Sequence, residues 1–407
     1  MSIRPYDVRL RTLRKTIVHR PPYCSGVVTV PDEELVVFYG KNEDSTGRID
    51  FKDASERSLT SLAQICDPAT FGRNDEDIFD ESYRRAGKLD KSAFSVNLDL
   101  EKSGLMEIIR TDLLEGKKAD KPIHAELYKL NVYGPGSFFK SHKDTPRGET
   151  MFGSLVIVYP TVHEGGALIF RDGDKQWTFD SAEMVAAKAP ALAYAAFFSD
   201  LDHEVIPVRA GYRVTVTYNL YFPNLATPNA IPPSVSVPFA FKSELERMLA
   251  DPTFLPDGGV LGFGFRRVYP VMKNPIVKVP LDYLKPYLKG NDANILHACD
   301  DLGLTSSIWA VYRDTFTVAL SAVPSYIGTV EDYDISRYLY QRRGAKRINS
   351  IHLSRSLDSD KEEDEEDDPS PASDCDEDED GDECWPIDFH VQWVTKPSAY
   401  NVLSESY

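Results

Sequence analysis

The sequence predicts an α+β fold with a mainly β core, on three observations. Its 407 residues are 42% hydrophobic and 11% aromatic, enough apolar material for a sizeable core and too much for a disordered chain. Helical spacing of apolar residues occurs before residue 115 and after residue 238. Between them, short runs rich in β-branched and aromatic residues are separated by Gly and Pro, and many short strands in succession argue for a sandwich or a barrel.

Residues 1–25 read as a basic, flexible arm: Arg4, Arg9, Arg11, Arg14, Lys15 and Arg20 stand against Asp7 alone, and the arm ends at Pro21-Pro22, which helix cannot cross. Residues 26–122 read as a helical and strand support region in which helices dominate. Leu59, Leu62, Ala63 and Cys66 form one helical stripe, and Leu105, Ile108, Ile109 and Leu113 form another. Residues 123–223 carry the β core, with strands expected over Leu127 to Tyr133, Ser154 to Tyr159, Ala167 to Phe170, Ala191 to Phe198 and Val214 to Phe222.

The Pro-, Asn-, Ser- and Thr-rich stretch from Pro223 to Pro238 marks a boundary, so residues 224–407 read as a C-terminal accessory domain. Helices are expected near Phe239 to Leu249 and Ala293 to Leu302, a strand pair through Trp309 to Val323, and a last strand over Ile387 to Val394. Residues 358–383 hold 17 acids and one lysine; like charge at that density repels itself, and the segment reads as a disordered insertion before the apolar Trp385, Phe389 and Trp393.

That segment accounts for −16 of the net charge of −18, so the remainder is close to neutral and does not suit a nucleic-acid partner. No run approaches the roughly 18 to 20 apolar residues of a membrane helix. The five cysteines are odd in number and far apart, which fits a reducing compartment. Cytoplasm or nucleus is the expected location, with an organellar transit peptide as the alternative reading of the basic arm.

Two His-x-acid pairs occur, His124-Ala125-Glu126 and His142-Lys143-Asp144. Residues two apart on a strand share a face, so either pair could give two ligands to one metal ion. Only the second follows a strand and the turn Tyr133-Gly134-Pro135-Gly136, and has a downstream partner, His203. For His124 and Glu126 a partly exposed polar strand face suffices. His163 and Glu164 precede Gly165-Gly166 in an expected turn and receive no role.

Two histidines and one carboxylate make the facial triad of non-haem Fe(II) oxygenases, which leaves three coordination positions open. Ten residues after His203, Arg213 enters an alternating strand, where its guanidinium suits bidentate binding of a carboxylate; Thr215 adds a hydroxyl on the same face.

The run Leu130-Asn131-Val132-Tyr133, Gly136, Phe139, His142-x-Asp144, Gly165-Gly166-Ala167-Leu168 and His203-Glu204-Val205-x-Pro207-Val208-x-x-Gly211-x-Arg213 resembles the prolyl 4-hydroxylase-like group of 2-oxoglutarate and Fe(II)-dependent dioxygenases. With Asp144-Thr145-Pro146-Arg147, its wording is most similar to fungal members of unassigned substrate. The resemblance spans roughly residues 123 to 222 and implies a double-stranded β-helix, the jelly-roll or cupin-like form of a β core. It implies iron held by His142, Asp144 and His203, and 2-oxoglutarate held by Arg213 with a hydrogen bond from Tyr133. Procollagen-type relatives carry Lys where this chain has Arg213.

The activity it implies is hydroxylation of a peptide or protein C–H by O2, giving succinate and CO2, with ascorbate as an accessory reductant. A small-molecule or nucleobase oxidase of the same chemistry, and a non-catalytic binding protein on the same scaffold, are the rival readings. Retention of His142, Asp144, His203 and Arg213 together speaks against the last.

Overall fold

The computed structural model describes residues 5–17, 20–73, 76–114, 122–148, 150–186, 191–223, 240–271, 279–313, 318–323, Leu339, 344–348, Asp388, 390–395 and Pro397. The chain divides into two compact units, one spanning 19–236 and the other joining 1–18 to 237–406. The N-terminal segment thus groups with the C-terminal unit, and the stretch after the expected boundary at 223, residues 224–239, lies outside the described residues. The acidic insertion 358–383, Trp385 and Phe389 lie outside the described residues.

The basic arm requires correction. Pro5–Lys15 forms helix α1. Leu10, Leu13 and Ile17, three and four residues apart, make a buried stripe that packs with Phe241, Leu245 and Met248. The charges flank that stripe: Arg9 pairs with Asp251 at 2.6 Å, and Arg14 Nε donates to Val394 O at 2.6 Å. An abundance of arginine hid an amphipathic helix.

In the unit spanning 19–236, strands outnumber helices before residue 123, against the expectation that helices dominate there. They are β1 (Tyr23–Val28), β2 (Val36–Tyr39), β3 (Gly47–Asp50), β4 (Asp67–Pro68), β5 (Phe71–Arg73), β6 (Glu76–Ile78), β7 (Arg84–Arg85), β8 (Gly87–Asp90) and β9 (Phe94–Val96). At two to six residues they are too short for alternation to register, and β1, β4, β7 and β8 are fixed by pairing with the main sheets. The two expected helices form as α2 (Glu56–Ile65), capped by Ser55 accepting from Ser58 N at 3.2 Å, and α3 (Leu105–Leu113), which buries Leu105, Met106, Ile109 and Leu113.

The core strands are β10 (His124–Tyr133), β11 (Phe138–His142), β12 (Met151–Val158), β13 (His163–Gly165), β14 (Leu168–Asp172), β15 (Lys175–Phe179), β16 (Leu192–Phe198), β17 (Asp202–Val205), β18 (Val208–Gly211) and β19 (Arg213–Tyr221), with the short helix α4 (Ser181–Ala186) after β15. One sheet has the order β1-β16-β12-β19-β10-β8-β4 and the other β15-β14-β17-β11-β7. All pairings within both are antiparallel. Tyr133, Val158 and Phe197 from the first sheet meet Phe139, Phe170 and Val205 from the second in one buried cluster, so the sheets pack face to face.

Inward positions follow the pleat. Lys129, Asn131 and Tyr133 on β10, and Arg213, Thr215, Thr217 and Asn219 on β19, line one cavity of about 530 Å³. Polar residues facing inward along two adjacent central strands are costly unless satisfied, so this interior is built for a ligand rather than for packing.

The other unit holds α5 (Ala240–Leu249), α6 (Gly290–Asp301), a parallel pair of β20 (Val260–Phe263) with β24 (Val391–Thr395), and the antiparallel group β21 (Ala310–Arg313), β22 (Val318–Ser321) and β23 (Lys346–Ile348). The helices, the strand pair and the last strand lie within a few residues of their expected positions. Trp393 is buried there beside Val318, Leu320, Ile348 and Val391. Cys24, Cys66 and Cys299 are free thiols, and no described helix is long and apolar enough to cross a membrane.

Candidate active site

Cross-strand register brings the two ligand-type histidines together. Strand β11 pairs with β17 so that His142 lies opposite His203, with ring centroids 4.1 Å apart. The strand ends at His142, and Asp144 follows two residues on, held by its own N–H donating to Ser199 O at 3.0 Å. One ligand atom from each of His142, Asp144 and His203 lies within 4.8 Å of the others, and among the described residues this is the one such group.

Each partner is oriented. His142 Nδ1 lies 2.8 Å from Lys140 O, and His203 Nδ1 lies 2.9 Å from Leu201 O. A carbonyl only accepts, so both Nδ1 atoms carry protons and both Nε2 lone pairs are available to a cation. Burial first, then the neighbouring His203 and the Arg84 guanidinium, hold His142 well below the usual imidazole range and keep it neutral. Ser154 Oγ donates to Asp144 Oδ2, while Asp144 Oδ1 stands 3.7 Å from His203 Nε2. Phe139 stacks on His142 at 3.5 Å and Phe197 lies 4.6 Å from His203, so the pair sits between apolar walls.

Arg213 opens β19 opposite Tyr133 of β10 and is 1% exposed. Its Nε donates to Ser181 Oγ at 3.2 Å, but Nη2 is buried with no hydrogen-bond partner. Burial lowers the guanidinium to about 10, which leaves it charged at neutral pH. A buried cation with an unused donor is strongly unfavourable unless an anion completes it. The guanidinium carbon is 5.6 Å from the Tyr133 ring centre, and Thr215 is buried two residues along the strand. Arg213, Tyr133, Thr215, His142, Asp144 and His203 all line the same cavity, a donor set that fits a divalent metal beside a dicarboxylate.

His124 and Glu126, the competing pair, begin β10, and Glu126 pairs with Lys91 at 2.7 Å outside the cavity. Three contributors escaped the sequence reading: Ser154 beneath Asp144, Ser181 behind Arg213, and Arg84, whose Nη2 donates to Asn131 Oδ1 at 2.9 Å. None stands at a motif spacing from the residue it supports. His163 was visible beside Gly165-Gly166, but its side chain meets Ser181 rather than the metal-type cluster.

The family model of the 2OG-Fe(II) oxygenase superfamily matches residues 128–221. That span carries His142, Asp144, His203 and Arg213; it is a 2OG-Fe(II) oxygenase domain, and the chain is an enzyme of the dioxygenase type. The family implies Fe(II) and 2-oxoglutarate as cofactor and cosubstrate. Among solved structures, the chain is similar to a prolyl-4-hydroxylase of Pseudomonas putida at 15% identity and TM-score 0.31, covering 53% of this chain and 100% of that one. It is similar also to a prolyl hydroxylase of Trichoplax adhaerens in complex with a hypoxia inducible factor peptide fragment, at 14% identity and TM-score 0.29, covering 54% and 94%. A 2OG-Fe(II) oxygenase family oxidoreductase of Burkholderia pseudomallei is similar at 17% identity and TM-score 0.25, covering 42% and 81%. No curated protein sequence matches the chain.

Proposed function

We propose that the protein is an Fe(II)- and 2-oxoglutarate-dependent hydroxylase acting on a peptide or protein C–H bond. The observation that carries this reading is the buried Arg213 guanidinium, with one nitrogen unpartnered, lining the cavity that holds His142, Asp144 and His203. Strands β10, β11, β12, β14, β15, β16, β17 and β19 then form the eight strands of a double-stranded β-helix, and 1–18 with 237–406 form an accessory unit.

His142, Asp144 and His203 would hold the iron. Arg213 would bind the distal carboxylate of 2-oxoglutarate through Nη2, with Tyr133 donating a hydrogen bond to it and Thr215 beside it. When bound, the iron and cosubstrate supply oxidation at the expense of O2, 2-oxoglutarate leaving as succinate and CO2 and one oxygen atom passing to the substrate; ascorbate would serve as an accessory reductant. The chain's own part is positional. Lys140 O and Leu201 O fix the imidazole tautomers, Ser154 aims the carboxylate, and the Phe139 and Phe197 rings pack against the histidine pair.

The peptide assignment is supported by the wording of the motifs around His142 and His203. It is tested by loading the protein with Fe(II) anaerobically, admitting O2 with 2-oxoglutarate and candidate peptides, and weighing the peptides by mass spectrometry. A gain of one oxygen that requires both Fe(II) and 2-oxoglutarate is expected. Cosubstrate consumption driven by a small molecule, with every peptide unchanged, would transfer the activity to that rival class.

A further inference from the structure

The cavity holds more positive charge than the proposed reaction uses. Away from Arg213 it is lined by Arg84, Lys129, Lys143 and Arg147, against Asp80 and the ligand-type Asp144. Arg84 is 8% exposed and Lys129 is 7% exposed. Arg84 spends Nη1 on Thr70 O and Nη2 on Asn131 Oδ1, both neutral acceptors, while Nε is buried without a partner. No described carboxylate lies within ion-pair distance of it. For Lys129 the nearest described carboxylate is Asp90 at 3.9 Å, whose side chain is about half exposed and also serves Lys88 at 3.6 Å.

Two cations removed from water, one with no countercharge among the described residues and one with a distant, shared countercharge, are unfavourable unless a ligand supplies it. Their location says which ligand. The Arg84 guanidinium carbon lies 4.3 Å from the Phe139 ring centre, and that ring stacks on His142, so Arg84 stands one aromatic ring from the metal-type cluster. Along β10, Lys129 is four residues from Tyr133, which faces Arg213, a separation of roughly 13 Å for extended chain. A cosubstrate held at Arg213 therefore leaves this end of the cavity free.

Resting on the iron and 2-oxoglutarate chemistry proposed above, and not on its peptide substrate, we infer that Arg84 and Lys129 bind a carboxylate of the substrate, so that the enzyme oxidises an acid. The planar fork of Arg84, fixed by Thr70 and Asn131, suits a carboxylate, and Lys129 adds a second point charge. The carboxylate belongs either to a free organic acid or to an acidic side chain of a peptide.

The test uses the full-length protein loaded with Zn(II) and saturated with 2-oxoglutarate, which occupies Arg213. Fluorine line broadening of trifluoroacetate is compared with that of its neutral isostere trifluoroacetamide. The expected result is saturable broadening of the anion alone, weakened about tenfold in Arg84→Gln and in Lys129→Met, the loss of one charge-assisted hydrogen bond. Equal broadening of both probes, or broadening of the anion that both variants leave unchanged, would overturn the inference. If Arg84→Gln does not fold, Lys129→Met decides. Calorimetry of 2-oxoglutarate binding on the same samples separates the two ideas, because its absence would sink the proposed function while the anion comparison is still read. Displacement of trifluoroacetate by butyrate assigns the site to free acids, and displacement by a capped Gly-Glu-Gly peptide but not its Gln counterpart assigns it to acidic side chains.

Discussion

His163 holds Arg213 in place through a single hydroxyl. His163 Nδ1 lies 2.7 Å from Thr161 O and must donate to it, which leaves Nε2, 3.2 Å from Ser181 Oγ, as an acceptor. Ser181 therefore donates to His163 and accepts Arg213 Nε–H at 3.2 Å, so a neutral imidazole fixes the direction of the whole chain. Ser181→Ala should weaken 2-oxoglutarate binding about fivefold, the worth of roughly 1 kcal/mol for one hydrogen bond, with metal affinity unchanged. Calorimetric titration of metal into metal-free protein, and then of cosubstrate into metal-loaded protein, reads the two in turn; an unaltered cosubstrate affinity would deny Ser181 this positioning role.

Gly166 makes room for the same arginine. Its φ of +72° is in the left-handed region, and a Cβ there would stand 3.0 Å from Arg213 Cδ and 2.8 Å from Val208 Cγ2. Gly166→Ala should cost about 1 to 3 kcal/mol of stability and also raise the dissociation constant for 2-oxoglutarate, because the guanidinium is displaced. Denaturant unfolding and cosubstrate titration of the variant check the two effects separately.

Acid should destabilise the metal-free protein through His163. Burial first, and the charge of Arg213 among the lesser causes, depress its folded pKa below the ordinary value. The unfolded chain then binds a proton at higher pH than the folded chain, so this stability is fully present above about pH 6.5 and is lost as pH falls toward the folded pKa. His142 acts with the same sign. Urea midpoints of metal-free protein should fall between about pH 7.5 and about 5.5, and His163→Gln should flatten the slope. A slope equal in wild type and variant would assign the effect elsewhere.

Removing a metal-ligand candidate should separate the two His-x-acid pairs. Alanine at His142, Asp144 or His203 is expected to abolish Fe(II) uptake, whereas His124→Ala should retain it. Ser154→Ala, which loses the hydroxyl on Asp144 Oδ2, should weaken iron binding about 10-fold. Retention of iron by His142→Ala with its loss from His124→Ala would reverse the assignment.

Five core strands, β10, β12, β14, β16 and β19, were legible as runs of β-branched and aromatic residues bounded by Gly or Pro, whereas β11, β15, β17 and β18 were not, and His163–Gly165, expected as a turn, is strand β13. His142 and Asp144 were legible from their His-x-Asp spacing with His203 downstream, and Arg213 as a charged residue opening an otherwise alternating strand. Helix α1 was not legible, since six basic residues in twenty masked the stripe of Leu10, Leu13 and Ile17. Strands as short as Arg84–Arg85 have no period to read, and their pairing comes from β11 across the sheet. Ser154, Ser181 and Arg84 support the site from three separate elements, so nothing in their spacing marks them.

The proposed reaction requires that one cavity hold both an iron site and a 2-oxoglutarate site. It is tested most directly by loading the protein with Fe(II) under anaerobic conditions, counting iron per chain, adding 2-oxoglutarate, admitting O2 and quantifying succinate. The prediction is succinate that requires iron, 2-oxoglutarate and O2 together, is lost in His203→Ala through loss of iron, and is lost in Arg213→Ala with iron retained. Protein that holds one iron per chain and forms no succinate, or that forms it equally in Arg213→Ala, would contradict the account.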